Sequence, residues 1–106
     1  MEQYQPDRRR HKRIAVNKSV LESDDFVALD LSESGMQLSC SSEHRQGRRI
    51  DMTLHLDDQV LTLTAEVIWC KRASSVFETG YHLGVQFVGY SVSEQLALRD
   101  YVAKYS

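Results

Sequence analysis

The chain has 106 residues, 42% hydrophobic and 26% charged, which suits one domain with a modest core and argues against wholesale disorder. No apolar run approaches the roughly 18–20 residues of a membrane-spanning helix, and the N-terminus MEQYQPDRRR lacks the apolar stretch of a secretory signal, so the expected location is the cytoplasm, without membrane insertion. The net charge of −2 hides an asymmetry: residues 1–13 carry five Lys or Arg against two acids, net +3, and the remainder carries eight against thirteen, net −5. A general nucleic-acid binder is more often basic throughout, whereas a local positive charge suits a small anion with few phosphates.

Residues 1–13 read as a flexible basic arm and residues 14–106 as a single domain. Within the arm, Arg8–Arg13 (RRRHKR) puts five fixed charges into six residues. Short basic runs near a terminus are often only solvated tails. Pro6, the only proline, argues against a helix from the first residue. Ile14 to about Glu22 reads as a strand of imperfect alternation, ended by the turn signal Ser23-Asp24-Asp25. Phe26–Leu31 is strand-like, with Val27, Leu29 and Leu31 on one face and Phe26, Ala28 and Asp30 on the other. Gly35 breaks it, and Met36–Cys40 follows with Met36, Leu38 and Cys40 on a single face.

Ser41–Arg49 is a polar connection whose Arg45, Arg48 and Arg49 read as a solvated loop. Ile50–Leu56 alternates cleanly, and Asp57-Asp58-Gln59 marks the next turn. Val60–Cys70 is the longest strand signal, with Leu61, Leu63, Ala65, Val67 and Trp69 in phase. That phase points Trp69 toward the core. Tyr81–Val88 alternates again. Short strands at this spacing imply an antiparallel sheet closed into a small barrel. Ser91-Val92-Ser93-Glu94 fits a helical capping box, and Val92, Leu96, Leu98 or Arg99, Tyr101, Val102 and Tyr105 form a rough apolar stripe over about fifteen residues. Cys40 and Cys70 close strand-like runs and read as buried or half-buried thiols, a disulfide being the lesser alternative. The four histidines show no metal spacing with them.

Arg9 and Arg13 are four residues apart, so an extended arm points both to one side across about 13 Å. Guanidinium forks suit phosphate, the guanine edge and base stacking. Arg8 and Arg10 face elsewhere but join if the arm wraps. In Asp30-Leu31-Ser32-Glu33-Ser34-Gly35, Asp30 and Ser32 are two apart at a strand end and project from the same face. A carboxylate there can accept from guanine N1–H and N2–H₂, and a hydroxyl can serve base or phosphate. Gly35 allows a positive φ or a close backbone approach. Alone, this stretch is a common strand end with a Ser turn.

Together, RxxxR on the arm (Arg9, Arg13) and DxSxxG at a strand-to-turn junction (Asp30, Ser32, Gly35) resemble the PilZ domain family. AEVIWCKR around Trp69 and GYHLGVQF, from Gly80 to Phe87, are similar to further strands of that family. The resemblance implies a mainly β fold: a six-stranded antiparallel β-barrel of the split-barrel kind with a C-terminal α-helix. It implies a receptor for cyclic di-GMP, with Arg8, Arg9, Arg13, Asp30, Ser32 and Gly35 at the ligand, which Arg10 joins if the arm wraps; the sequence shows no nucleophile-elbow, phosphate-loop, metal or paired-carboxylate signature, so no enzymatic activity and no metal are expected. Trp69 stays open as core residue or stacking wall. Arginine at position 8, before RxxxR, goes in this family with an intercalated ligand pair, which implies two molecules per chain. Ligand binding is expected to order the arm and create a surface for an unidentified downstream protein. The alternatives are a β-barrel binding single-stranded nucleic acid through its arm, and a PilZ-like protein adaptor that needs no ligand. The arm has no interleaved aromatic platform and the body is acidic, which makes nucleic acid the weaker choice.

Overall fold

Alternating apolar residues build a single antiparallel sheet, and the places where the alternation slips decide what the sheet can hold. The computed structural model describes residues 11–73 and 79–106. The strands are β1 (Ile14–Ala15), β2 (Phe26–Leu31), β3 (Gly35–Cys40), β4 (Arg49–Leu56), β5 (Gln59–Arg72) and β6 (Tyr81–Gly89), followed by helix α1 (Val92–Lys104). Their order across the sheet is β1-β2-β3-β6-β5-β4. The sheet curls until its edges, β1 and β4, face each other. No ladder joins them. The segment between β1 and β2 spans the seam instead, through a bridge from Leu21 to Leu54 and a bond from the Glu22 N–H to the Thr53 carbonyl at 3.0 Å. The core fills the curl, with Leu31, Met36, Leu38, Leu54, Ala65, Val67, Leu83 and Leu98 fully buried.

The long strand expected over residues 14–22 is only two residues. After it, Lys18–Val20 forms a 3₁₀ turn, capped by Asn17, whose side chain accepts the Ser19 N–H at 2.9 Å. Asn and Ser offer the backbone local bonds that compete with a ladder. β2 also departs from the expected phase. Ala28 and Leu31 point inward, while Val27 and Leu29 are exposed. A β-bulge is the cause: Ala28 pairs with Leu38 but Asp30 pairs with Gln37, leaving Leu29 as the extra residue. The same event recurs in β5, where Val67 pairs with Val85 and Trp69 with Gly84, leaving Ile68 extra. Trp69 therefore leaves the phase of Leu61, Leu63, Ala65 and Val67, and sits half-buried on the outer face.

Gly35 does not occupy positive φ; among described glycines only Gly47 and Gly80 do. Its requirement is the close approach of β6, since a Cβ on Gly35 would overlap the Val85 carbonyl oxygen. Cys40 and Cys70 are both free and half-buried. They flank β6 from opposite sides, Cys40 opposite Tyr81 and Cys70 opposite Leu83. Two strand spacings are about 9–10 Å, beyond the Cα separation a disulfide bridges.

Helix α1 begins with the expected capping box: the Glu94 N–H donates to Ser91 Oγ at 3.1 Å and the Ser91 N–H donates to Glu94 Oε1 at 2.8 Å. Its buried stripe is narrower than expected. Leu98 and Val102 are buried, whereas Val92 and Leu96 are exposed. The far end of the helix is tied to the two-residue β4–β5 turn. Asp57 there has φ 60, a conformation that aspartate tolerates better than most side chains. Its carboxylate accepts from Lys104 Nζ at 2.7 Å and Tyr105 Oη at 2.6 Å.

The hydrogen bonds from Lys104 and then Tyr105 hold the Asp57 carboxyl below its ordinary range, and the bond to Asp57 pushes Lys104 upward. A lowered acid stabilises above its unfolded-state pKa and loses that contribution as pH falls through the folded value; a raised lysine behaves oppositely. Asp57→Asn keeps tolerance of positive φ while removing the charge. The expected result is a stability deficit relative to the parent that is constant through neutral pH and shrinks at both acid and alkaline extremes. Paired thermal unfolding curves across pH measure it.

Candidate functional site

Across the outer face, strand register places Asp30, Gln37, Gly84 and Trp69 in one row, on β2, β3, β6 and β5 in turn. Both end members owe their place to a bulge. Without the extra Leu29, Asp30 would share the inward face of Ala28. Asp30 instead anchors three donors. Its Oδ1 accepts from Arg13 Nη1 and from the Gln37 backbone N–H, each at 2.9 Å, and its Oδ2 accepts from Gln37 Nε2 at 3.0 Å. The Arg13 and Asp30 side chains are 38% and 20% exposed, so solvent screens this ion pair and its value is positional more than energetic.

The turn between β2 and β3 is built by Ser32, which is buried. Its N–H donates to the Gly35 carbonyl at 2.8 Å. Its Oγ accepts the N–H groups of Ser34 and Gly35, both at 3.2 Å. The hydroxyl expected to serve a ligand is thus first a turn-former. His11 reaches the same turn, with Nδ1 2.8 Å from Ser34 Oγ.

These groups border a cavity of about 390 Å³ lined by His11, Arg13, Ser32, Ser34, Gly35, Ile68, Trp69, Gly84, Val85 and Gln86. Trp69 forms one wall. Its indole lies against Gly84 so closely that a Cβ there would overlap the ring at Nε1 and Cε2. Lys71 Nζ stands 5.6 Å from the ring centroid. Two cations, Arg13 and Lys71, one aromatic plate and several hydroxyl and amide groups converge, which suits a planar, anionic ligand. A larger cleft of about 690 Å³ lies under β1 and the 3₁₀ turn, reaching His55, Asp57, Tyr101 and Tyr105. Among the described residues no Lys or Arg lines it, and its Asp57 carboxylate is already bonded to Lys104 and Tyr105.

Of the residues expected from sequence, Arg13, Ser32, Gly35 and Trp69 meet at the cavity, and Asp30 stands behind Arg13 as its anchor. Arg8, Arg9 and Arg10 lie outside the described residues. Sequence reading missed His11, Ser34, Gln37, Gly84 and Gln86. Gly84 carried a readable signal, because a glycine inside a strand marks a bulge or a close approach. Gln37 did not, because its pairing with Asp30 depends on the bulge.

The chain matches the PilZ domain over residues 7–104. It belongs to the PilZ domain family. Among solved structures, the PilZ domain of YcgR from Escherichia coli, determined with c-di-GMP, superposes with a TM-score of 0.67 at 18% identity, covering 93% of this chain and 92% of that one. A tetrameric PilZ domain from Xanthomonas campestris, self-assembled via a helical bundle, superposes with a TM-score of 0.57 at 23% identity, covering 71% of this chain and 42% of that one. At these identities the superpositions establish the fold. No curated protein matches the chain. Among the described residues, no helix is long and apolar enough to cross a membrane, and no group of three or more His, Cys, Asp or Glu could hold a metal.

Trp69 is the only tryptophan in the chain, so its fluorescence reports on this wall. Gly84→Ala should drive the indole from its seat. The expected outcome is a red-shifted emission with a stability loss of about 1–3 kcal/mol from overpacking, read by fluorescence and denaturant titration.

Proposed function

We propose that this PilZ domain is a cytoplasmic cyclic di-GMP receptor without enzymatic activity. The observation that carries the reading is Arg13, held at 2.9 Å by Asp30 beside a cavity walled by Trp69 on Gly84. A guanidinium fixed next to an aromatic plate fits a phosphate beside a purine. Family membership and the YcgR domain determined with c-di-GMP support the same ligand.

In this reading Arg9 and Arg13 are the two phosphate clamps, and Arg8 and Arg10 close over the ligand. Asp30 combines its anchoring of Arg13 with readout of a guanine edge, having one acceptor position left after its three donors. Ser32 and Gly35 shape the turn that the ligand rests on, and Trp69 stacks on a base. Two cyclic di-GMP molecules bind as a stacked pair, because Arg8 adds a cation where four phosphate charges meet. The arm, residues 1–13, orders around them beyond its attachments at His11 and Arg13, and the new surface recruits a downstream protein.

Calorimetry with cyclic di-GMP tests the core of this. Arg13→Ala should weaken binding about 10- to 150-fold, for the loss of charge-assisted bonds of about 1.5–3 kcal/mol, with little change in stability. Asp30→Ala should reduce the preference for cyclic di-GMP over cyclic di-AMP. Absence of binding by the parent protein overturns the reading. Arg8→Leu should lower the saturating ratio from two ligands to one; a ratio of one in the parent refutes the stacked pair and leaves the receptor intact. Equal amide-exchange protection of residues 1–10 with and without ligand would refute ordering of the arm.

A further inference from the structure

His11 lies inside RRRHKR, where the charges of its neighbours mask it, yet its ring reaches Ser34 of the β2–β3 turn. We propose that His11 is a further ligand-contacting residue of the arm, donating its Nε2–H to a phosphate oxygen of the bound nucleotide, and that Ser34 is the residue that positions it. This rests on the cyclic di-GMP reading of the same cavity.

The hydrogen-bond inventory of the turn bears on the part His11 Nδ1 plays. Ser32 Oγ already accepts two N–H groups, from Ser34 and Gly35, which fills its two lone pairs. Its own proton is directed to the Gly35 carbonyl at 3.3 Å. Ser32 Oγ is therefore a poor target for the Ser34 hydroxyl, 3.3 Å away. The Ser34 proton has a better acceptor in His11 Nδ1 at 2.8 Å. With Nδ1 accepting, the ring carries its proton on Nε2. Ser34 is itself held, because its N–H is bonded to Ser32 Oγ and its carbonyl accepts the Phe87 N–H at 2.8 Å. The result is an Nε2–H donor oriented by Ser34, on a residue that lines the cavity two positions from Arg13. Such a donor complements a guanidinium at a phosphate, adding a hydrogen bond beside the charge-assisted ones.

Two substitutions divide the ring's functions. The amide of Gln reaches as far as Nε2, and that of Asn reaches only as far as Nδ1. Binding of cyclic di-GMP by calorimetry, with thermal unfolding as a check on folding, is expected to show His11→Ala about tenfold weaker than the parent, His11→Gln within about threefold of it, and His11→Asn as weak as His11→Ala. Ser34→Ala should weaken binding in the parent but add nothing in the His11→Ala background. If His11→Ala binds like the parent, or Asn restores affinity where Gln does not, His11 is at most a fastening on Ser34 and the proposal is wrong. If the parent protein binds no cyclic di-GMP, the receptor reading fails first and this proposal falls with it.

Discussion

Two extra residues, Leu29 and Ile68, make the site possible. In a regular strand the side-chain period is two, so Asp30 would follow Ala28 into the core and Trp69 would follow Val67. Each bulge adds one residue and reverses the phase beyond it. A carboxylate and an indole, neither of which the small core could accept, emerge on the outer face in one row. The bulge residues themselves are paid out as exposed apolar side chains, Leu29 at 37% and Ile68 at 39%. The site is thus a property of the register: a slip of β2 would bury Asp30, and a slip of β5 would bury Trp69, without changing either residue's identity.

With the row established, Asp30 organises the polar half. A carboxylate offers about four acceptor positions, and three are taken by Arg13 and the two donors of Gln37. Gln37 comes from the strand beside it, so the geometry is set by the sheet before any ligand arrives. Arg13 has lost part of its rotamer freedom in advance, which lowers the ordering cost at the moment of binding. The ion pair is half-exposed and adds little to stability. Its consequence is that Arg13 faces the cavity with a fixed origin rather than sweeping through solvent.

The sheet itself was legible because periodicity survives wherever no bulge intervenes. β4 and the first two-thirds of β5 alternate as read, and the capping box of Ser91 and Glu94 is local chemistry that needs no partner. What failed was non-local. The phase of β2 and the position of Trp69 depend on how many residues the partner strand supplies, which one strand's pattern does not contain. Val92 and Leu96 fit a helical stripe by spacing, but the core covers only the side occupied by Leu98 and Val102. The site was half legible for a related reason. Residue types with strong chemistry, Arg13 and Asp30, stand out in sequence, whereas His11 and Gln37 acquire roles only from residues 23 and 7 positions away.

The two strand glycines that border the cavity show how function weighs against stability here. Glycine inside a strand costs about 0.5–1 kcal/mol relative to alanine. At Gly35 that cost has a structural return, because β3 and β6 approach too closely for any side chain beside the Val85 carbonyl. At Gly84 the space is taken by the Trp69 ring. An alanine at 84 would pack the outer face well if position 69 held a smaller residue, so the pair makes sense only as a unit: the glycine is the seat, and the indole is the wall. A flat aromatic plate laid on backbone, with cations at its margin, is a surface shaped for another flat ring.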